Sequence, residues 1–375
     1  MKLTTLQENL KNGLTTVNHV AGKNTNLPIL NNVLIEVKDG NIKLTTTDLE
    51  IGVITTIRGK VEKEGTYTID AKVISEFAAL LPNKKVEIEK KDNKFLVKCD
   101  NYKISIKGQE AEEFPLIPTI EKEEFFSVEL GALKSALTQV IFSTSAGETR
   151  VELSGVFFHI NKESLTLAAT DSYRLAEKTI KINTNSKEEK SVIVPARALQ
   201  ETLRIISNLR PGEGVEEKNE IKFYLSENQI LFSLGNTELV SRLIEGQYPD
   251  YRQIIPTTHQ TSALVSRGEF IRAVKASSIF SKTGINDINL DFPLGKNTVI
   301  ISSASGQTGE SVVELSAKVS GVDNGIVMNY RYLLDGLNNI EGDNIKIEVT
   351  NGNTPCAFKP EKDEDYLYIV MPIKQ

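Results

Sequence analysis

The sequence predicts an α+β fold of three tandem copies of one domain, each with two helices on one face of an antiparallel sheet. The main observation is a repeat: LTLAATDSYRLAEKTI at 165–180 resembles IKLTTTDLEIGVITTI at 42–57. The flanking elements recur in the same order, and a third copy follows. Each copy spans roughly 120 to 135 residues, which exceeds the 20 to 50 residues of a solenoid repeat.

Each copy is expected to begin with an amphipathic helix, because apolar residues recur there at helical spacing. In the first copy Leu6, Leu10 and Leu14 share one face. The predicted first helices cover 6–20, 130–142 and 267–280.

A strand pair with a turn follows each first helix. In the first copy, two segments of alternating apolar and polar residues flank Asp39-Gly40. An Asp-Gly pair in this position is a strong signal for a hairpin with a two-residue turn. The second copy reads GVFFHINKESLTLAATD, and the third, NLDFPLGKNTVIISSAS, keeps the alternation but lacks the Thr-Asp pair. Further strands are expected to close each copy.

A second helix is predicted in each copy after a short strand, within 67–81, 192–206 and 326–340. A basic residue falls at the same place each time: Lys72, Arg197 and Arg331. If the three domains form an arc, these cations converge on one concave surface, and Lys11 and Lys134 on the first helices join them. Cations that face phosphates bind without reading bases, so such binding is weak, salt-sensitive and mobile.

Proline-bounded connectors mark the domain boundaries. They read EFPLIP at 113–118 and QYPDYRQIIP at 247–256. We therefore expect domains at 1–118, 119–256 (connector included) and 257–375.

Composition narrows the function classes. The formal net charge of −6 argues against attraction of nucleic acid by the whole surface, so DNA binding would need local positive patches. No apolar run is long enough to span a membrane, and the amino terminus does not resemble a signal peptide, so we expect a cytoplasmic protein. The few His and Cys residues have no metal-binding spacing, and no phosphate-binding glycine motif occurs. We expect no cofactor and no metal.

Two aspartates allow more than one interpretation. Asp48 and Asp171 each follow a threonine at a predicted strand end, where Thr-Asp commonly ties off the backbone in an Asx or Ser/Thr turn. The alternative is a hydrolase that uses one of them as an acid. A structural β-rich repeat scaffold is a further alternative.

Several motifs resemble those of one family, the bacterial sliding clamps or β subunits of DNA polymerase III. The resemblance covers the chain from end to end, in the same order. It is carried by LPIL, TTDLEIG, EFPLIP, ATDSYRLA, EGQYPDYRQIIP and the terminal YIVMPIKQ.

The resemblance implies three domains per chain and a head-to-tail homodimer that closes into a ring around duplex DNA. Such a ring has no catalytic residues. It tethers the replicative polymerase topologically and so confers processivity. A separate ATP-driven loader opens it, and polymerases, the loader and repair proteins dock through short linear peptides.

The resemblance also assigns a hydrophobic pocket for these peptides to the second copy, the second connector and the carboxyl terminus. The first copy is expected to have no such docking. The matching positions are Leu153, Thr170, Ser172, Tyr173, Arg174, Leu175, Pro249, Gln253, Ile254, Asn329, Tyr332, Asn353, Pro355, Ile369, Val370, Met371, Pro372 and Ile373. The ending Lys374-Gln375 departs from the usual basic-then-leucine ending.

DNA contacts and the dimer seam are carried over in the same way. Lys72, Arg197 and Arg150 match basic positions near DNA, and Arg331 is added from the internal symmetry. Some relatives have an arginine before LPIL, where this chain has Lys23 and Asn24. At the seam, Ile104 and Ile106 of domain 1 are expected to face Ile279 and Phe280 of domain 3 in the partner chain.

Overall fold

The computed structural model describes residues 1–22, 26–147, 149–209, 219–306 and 309–374. These residues form two compact units. Unit 1 holds Met1–Leu130, Asn183–Ser186 and Arg197–Leu243, and unit 2 holds Gly131–Ile182, Lys187–Ala196 and Ile244–Gln375.

The described residues contain six α-helices, two for each copy of the repeat. The predicted first and second helices are therefore confirmed in all three copies, with bounds that differ by a few residues. They are α1 (Gln7–Val17), α2 (Ala71–Leu80), α3 (Leu130–Ile141), α4 (Ala196–Asn208), α5 (Arg267–Ser278) and α6 (Tyr330–Asn339). None of these helices is long and apolar enough to cross a membrane.

Unit 1 contains a five-stranded and a nine-stranded antiparallel sheet, in the orders β5-β1-β7-β8-β9 and β14-β10-β16-β17-β18-β4-β3-β2-β6. The strands are β1 (Lys2–Leu6), β2 (Asn32–Lys38), β3 (Asn41–Thr47), β4 (Ile51–Ile57), β5 (Gly59–Lys63), β6 (Gly65–Asp70), β7 (Lys85–Lys91), β8 (Lys94–Cys99), β9 (Tyr102–Lys107), β10 (Phe126–Glu129), β14 (Asn183–Thr184), β16 (Glu220–Leu225), β17 (Gln229–Leu234) and β18 (Thr237–Arg242).

Unit 2 contains one antiparallel sheet of twelve strands, in the order β15-β11-β12-β13-β26-β25-β24-β19-β22-β21-β20-β23. The strands are β11 (Gly155–Ile160), β12 (Ser164–Thr170), β13 (Arg174–Lys181), β15 (Lys190–Pro195), β19 (Thr261–Ser266), β20 (Asp287–Phe292), β21 (Thr298–Ser305), β22 (Gly309–Gly321), β23 (Asn324–Asn329), β24 (Asn344–Val349), β25 (Cys356–Pro360) and β26 (Tyr366–Val370).

The predicted hairpin of the first copy is confirmed. Lys38 pairs with Asn41, and Asp39 and Gly40 between them have φ values of 50° and 75°. Positive φ at both central residues is the signature of a type I′ turn, which matches the natural twist of the two strands.

Sheet pairing joins successive copies of the repeat, which the sequence did not predict. In unit 1, β4 of the first copy pairs with β18 of the second, with Gly52 opposite Val240. In unit 2, β13 of the second copy pairs with β26 of the third, with Leu175 opposite Ile369. Position 52 corresponds to position 175 in the repeat, so both junctions use the same strand at the same place.

The second helices of the first and third copies begin with short polar side chains that cap them. Asp70 accepts a hydrogen bond from Val73 N–H at the start of α2, and Asn329 accepts one from Arg331 N–H at the start of α6. Such caps satisfy N–H groups that have no partner inside the helix. Because each helix begins directly after its capping residue, Lys72 and Arg331 each occupy the second position of a helix.

Helix α6 packs closely on the last strand of unit 2. A Cβ atom at Gly336 would lie 2.0 Å from Cε1 of Tyr368, whose ring is fully buried. The Tyr368 hydroxyl also donates a hydrogen bond to the Tyr332 carbonyl, at 2.7 Å. The glycine thus allows α6 and β26 to pack closely against each other. Both elements contribute residues to the predicted pocket.

We expect Gly336→Ala to destabilise the protein by about 1–3 kcal/mol, because the added methyl overpacks the rigid Tyr368 ring. Gly268→Ala is a matched control, since a Cβ there would meet only the Arg272 side chain, at 3.7 Å. It should stabilise α5 by about 0.4–1 kcal/mol. Urea unfolding of both variants checks this, and equal effects would contradict the close packing of α6.

Candidate functional site

The Thr-Asp pair of the second copy ends β12 in a turn closed by its own side chains. The Thr170 hydroxyl donates to the Arg174 carbonyl (2.6 Å) and accepts from Ser172 N–H (3.1 Å). Asp171 Oδ1 accepts from the N–H groups of Tyr173 (2.9 Å) and Arg174 (3.1 Å). Ser172 has a φ of 78°, the left-handed conformation that such turns require.

The first copy builds the same turn. Thr47 donates to the Ile51 carbonyl (2.9 Å), and Asp48 Oδ1 accepts from the N–H groups of Glu50 (3.0 Å) and Ile51 (2.8 Å). Leu49 has a φ of 81°. The interpretation of both Thr-Asp pairs as turn-closing residues is confirmed, since the carboxylates serve as backbone acceptors in both copies.

Arg174 holds the second-copy turn against helix α6. Its Nε lies 2.9 Å from Asp171 Oδ2, and its Nη1 lies 2.5 Å from Asp335 Oδ2. The guanidinium also lies over the Tyr332 ring, 4.8 Å from the centroid. Only 11% of the side chain is exposed. The charge is therefore paired and stacked inside the protein, and Nε and Nη1 already have acceptors.

The floor of the predicted pocket is an apolar cluster. Leu153, Leu175 and Ile369 are buried in it, and Ile254 of the connector packs against it. Thr170 and Val370 are buried as well. The structure thus brings together residues from the second copy, the connector and the last strand, as the resemblance implied.

Two connector tyrosines that the sequence analysis did not single out anchor this floor. The Tyr248 hydroxyl accepts a hydrogen bond from Thr170 N–H (3.1 Å), and the Tyr251 hydroxyl donates to Glu177 Oε2 (2.5 Å). Burial raises the pKa of both phenols well above the usual value, so they stay neutral. Their spacing in EGQYPDY, with each tyrosine beside a turn-forming residue, was the signal that could have revealed them.

The carboxyl-terminal tail lies along one side of the predicted pocket. Beyond β26, Met371 N–H donates to the Tyr173 carbonyl and Ile373 N–H donates to the Val327 carbonyl, both at 2.8 Å. The tail therefore runs between the turn and β23. Its residues from Met371 to Ile373 are only partly buried, so their apolar side chains remain accessible.

The other predicted pocket residues form an accessible rim. The Tyr173 and Tyr332 rings stack with centroids 6.1 Å apart, and 61% of Tyr173 is exposed. The remaining rim residues are partly or fully exposed: Ser172, Pro249, Gln253, Asn329, Asn353 and Pro355.

The first copy differs at one position of the floor. Gly52 stands where the second copy has Leu175, and a Cβ atom at Gly52 would lie 2.5 Å from Ile117 Cδ1. Ile117 of the first connector thus fills the space of the missing side chain. The two turns share a backbone design but present different surfaces.

The three equivalent cations lie at the second position of α2, α4 and α6, and their surroundings differ. Lys72 is 3.7 Å from Glu76, and Arg197 Nη2 is 2.6 Å from Asp48 Oδ2, an ion pair without hydrogen-bond geometry. Arg331 is exposed, and its hydrogen bond with Tyr330 raises its pKa. Lys72 and Arg197 expose 69% and 63% of their side chains.

The other predicted DNA contacts differ in exposure and in their local partners. Lys11 is partly exposed on α1 and Lys134 is exposed on α3. Arg150 lies at the pocket turn, where it donates to the Ser172 hydroxyl (3.1 Å) and pairs with Glu152 (3.0 Å). Lys23 and Asn24 lie outside the described residues.

The predicted seam residues lie at a sheet edge and at a helix end. β9 is the last strand of its sheet. Ile104 on it is partly exposed, whereas Ile106 is buried opposite Phe95. Ile279 follows α5 and is 71% exposed, and Phe280 is partly exposed. Val312 on β22, 63% exposed, is an apolar surface residue that the sequence analysis missed.

Within the described ranges, no group of three or more His, Cys, Asp or Glu side chains is arranged to hold a metal ion. The two cysteines, Cys99 and Cys356, are buried and unpaired by disulfide. Burial raises the pKa of both thiols, which disfavours the reactive thiolate.

Family comparison matches three successive models of the DNA polymerase III beta subunit: the N-terminal domain over 1–118, the central domain over 127–250 and the C-terminal domain over 252–374. The chain belongs to the bacterial sliding-clamp family. The beta sliding clamp of Staphylococcus epidermidis is 29% identical over 360 residues, which cover 93% of each chain.

Solved sliding clamps share the whole fold. The sliding clamp of Bacillus subtilis has a TM-score of 0.93 at 27% identity, and the beta subunit of Thermotoga maritima has 0.91 at 28%. Each comparison covers 100% of this chain and 99% of the other. The expected function as a DNA sliding clamp is therefore confirmed, and the chain is a non-catalytic processivity factor. The hydrolase and scaffold alternatives gain no support.

We expect Asp171→Ala to destabilise the sliding clamp by about 2–3 kcal/mol, because it removes the backbone acceptor of the turn and leaves Arg174 with one carboxylate. Asp171→Asn keeps the Oδ1 acceptor and loses only the ion pair, so it should lower the free energy of unfolding by about 1 kcal/mol. Thermal unfolding of the two variants separates these contributions. Equal losses would show that the ion pair, and not the turn, is what the aspartate stabilises.

Proposed function

We propose that two copies of this chain form a ring around duplex DNA in the cytoplasm and that partner proteins dock in the second-copy pocket. The ring holds the replicative polymerase on DNA without tight contact, since tethering raises the effective concentration of the polymerase. The partners are polymerases, the clamp loader and repair proteins. Family membership and the architecture of the pocket support this proposal.

The pocket is the observation that carries the proposal. Three segments distant in sequence converge: the turn at 170–175, the connector at 247–256 and the tail from Met371. Their floor is buried and apolar, and their rim is accessible. Such a site suits an extended peptide whose Leu or Phe side chains bury against the floor while its backbone contacts the tail.

Arg174 contributes to this site by holding its wall in place. Its pairing with Asp171 and Asp335 fixes the turn against α6, so the Tyr173 and Tyr332 rings stay together at the rim. The exposed backbone and the rim side chains Gln253 and Asn353 can form hydrogen bonds with the peptide groups of a bound partner.

DNA contact is assigned to the helix-borne cations. Lys72, Arg197 and Arg331 hold equivalent, exposed positions, with Lys11 and Lys134 on the first helices. They would neutralise phosphates without reading bases, which permits sliding. Arg150, Lys23 and Asn24 complete the proposed set. The ion pair of Arg197 with Asp48 can be exchanged for a phosphate because most of the arginine is exposed.

The ring requires domains at 1–118, 119–256 and 257–375 and a seam between chains. The three family models, which succeed one another along the chain, support these bounds. Two features support the seam: β9 is at an open edge of its sheet in the described chain, and Ile279 is exposed. An open strand edge and an exposed apolar side chain are each normally covered.

A topological test is decisive for the ring. When the protein is loaded on a nicked circular plasmid by a clamp loader, it should remain through gel filtration at about 0.5 M salt, since an encircling ring needs few ionic contacts. After the plasmid is linearised, it should slide off. Retention on the linear DNA would overturn the proposal.

The seam can be tested by sedimentation velocity and by the same plasmid-retention assay. Ile279→Asp should yield monomers in sedimentation velocity and should abolish retention on the circle. Leu294→Asp is the matched control, since Leu294 is also an exposed apolar residue, 61% accessible. It should leave both properties unchanged, and a persistent Ile279→Asp dimer would refute the seam.

Removal of Met371–Gln375 should reduce binding of a Leu- and Phe-containing partner peptide by at least about tenfold, because one pocket wall is lost. The dimer should persist. Leu116→Ala serves as the control, since Leu116 is 95% exposed in the first connector, outside the pocket. Fluorescence polarisation measures the affinity, and unchanged binding to the truncated chain would refute the pocket.

A further inference from the structure

We infer that a cleft beside the carboxyl-terminal tail extends the peptide pocket and binds a basic side chain of the partner peptide through Asp291. This inference rests on the proposed peptide-binding function and specifies the partner's chemistry. The cleft has a volume of about 460 Å³. Its walls come from β20, β23, the loop at 351–353 and the tail, and are formed by Asn289, Asp291, Gly325, Val327, Asn353 and Ile373.

The cleft is continuous with the pocket because the two share residues. Asn353 and Ile373 both belong to the predicted pocket and also line the cleft. Ile373 N–H donates to the Val327 carbonyl, so the tail lies along β23, which is the end strand of the sheet. A peptide that crosses the tail from the pocket therefore reaches the cleft with its next residues.

Asp291 is the acidic group in this cleft. It lies opposite Gly325 in the β20–β23 register, and a Cβ atom at Gly325 would sit 2.7 Å from Asp291 Oδ1. The carboxylate thus lies across the glycine backbone, a position that a larger residue at 325 would block. The Asp291 carboxylate makes no hydrogen bond and no ion pair with any described residue.

The surroundings of Asp291 favour a cationic ligand. The other described lining residues are amides, glycines and aliphatic side chains, so nothing there neutralises the carboxylate. Partial desolvation raises its pKa, although the residue remains accessible to solvent. An incoming ammonium or guanidinium would stabilise the charged form. Lys374 follows Ile373 in the tail and does not pair with Asp291.

A basic side chain fits better than a metal ion or a neutral group. Divalent cations bind several oxygen ligands at once, and no cluster of three acidic or other metal-binding side chains occurs in the described part of the chain. A neutral residue would leave the carboxylate unpaired. The long stem of Lys or Arg can instead lie along Val327 and Ile373 while its charged head meets Asp291.

The test uses the full-length protein and fluorescent peptides that share Leu and Phe anchors. Lys is placed in turn at each of four positions on either side of the anchors, and each peptide has a Gln counterpart. We expect wild type to bind Lys at one position about two- to fivefold more tightly than Gln, with the preference decreasing as salt rises.

Asp291→Asn should abolish this preference and leave the affinity for the Gln peptide unchanged. Asp287→Asn is the matched control, since Asp287 lies on the same face of β20 but pairs with Lys282 (4.0 Å) and does not line the cleft. It should keep the preference.

Three results would overturn the inference: no Lys preference in wild type, a preference that survives Asp291→Asn, or an equal loss in Asp287→Asn. A different result would refute the proposed peptide-binding function itself. If deletion of Met371–Gln375 leaves the Gln peptide bound as before, the pocket assignment itself is wrong. If that deletion abolishes binding while Asp291→Asn retains the preference, only the cleft is refuted.

Discussion

The structure depends on one constraint, the pairing of strands from successive copies of the repeat. β4 pairs with β18 in unit 1, and β13 pairs with β26 in unit 2, at equivalent positions of the repeat. Backbone hydrogen bonds thereby fix the Thr-Asp turn at the end of a continuous sheet. In unit 2 the paired strand continues directly into the tail, so the turn and the tail cannot move apart without breaking the sheet.

The same scaffold supports two different surfaces because a few side chains differ. In the first copy, Gly52 lets Ile117 close over the strand end. In the second, Leu175 fills that place, and Tyr248 and Tyr251 hold the connector at the edge of an apolar floor. Strand pairing depends on the backbone, so it can recur in each copy of the repeat. The shape of the surface beside the paired strands depends instead on individual side-chain volumes.

At both turns the aspartate pairs with an arginine, but the arginine comes from a different element in each copy. Oδ2 of Asp48 pairs with Arg197 from α4, whereas Oδ2 of Asp171 pairs with Arg174 from the turn itself, which then reaches Asp335 on α6. In each case the second helix of the following copy is tied to the turn. In both copies Oδ1 of the aspartate closes the turn and Oδ2 pairs with an arginine, which is on the helix in the first copy and reaches the helix through Asp335 in the second.

The threefold repeat, all six helices of the described chain, the Asp39-Gly40 hairpin and the Thr-Asp turns could all be predicted from the sequence. These features depend on residues close in sequence, whose periodicity and turn chemistry can be interpreted locally. Four features could be seen only in the folded chain: sheets join successive copies, Arg174 is largely buried, Ile117 packs on Gly52, and Asp291 faces a cleft beside the tail. Each of these arises from contacts between residues far apart in the chain, and their geometry depends on strand register and packing, which no local pattern encodes.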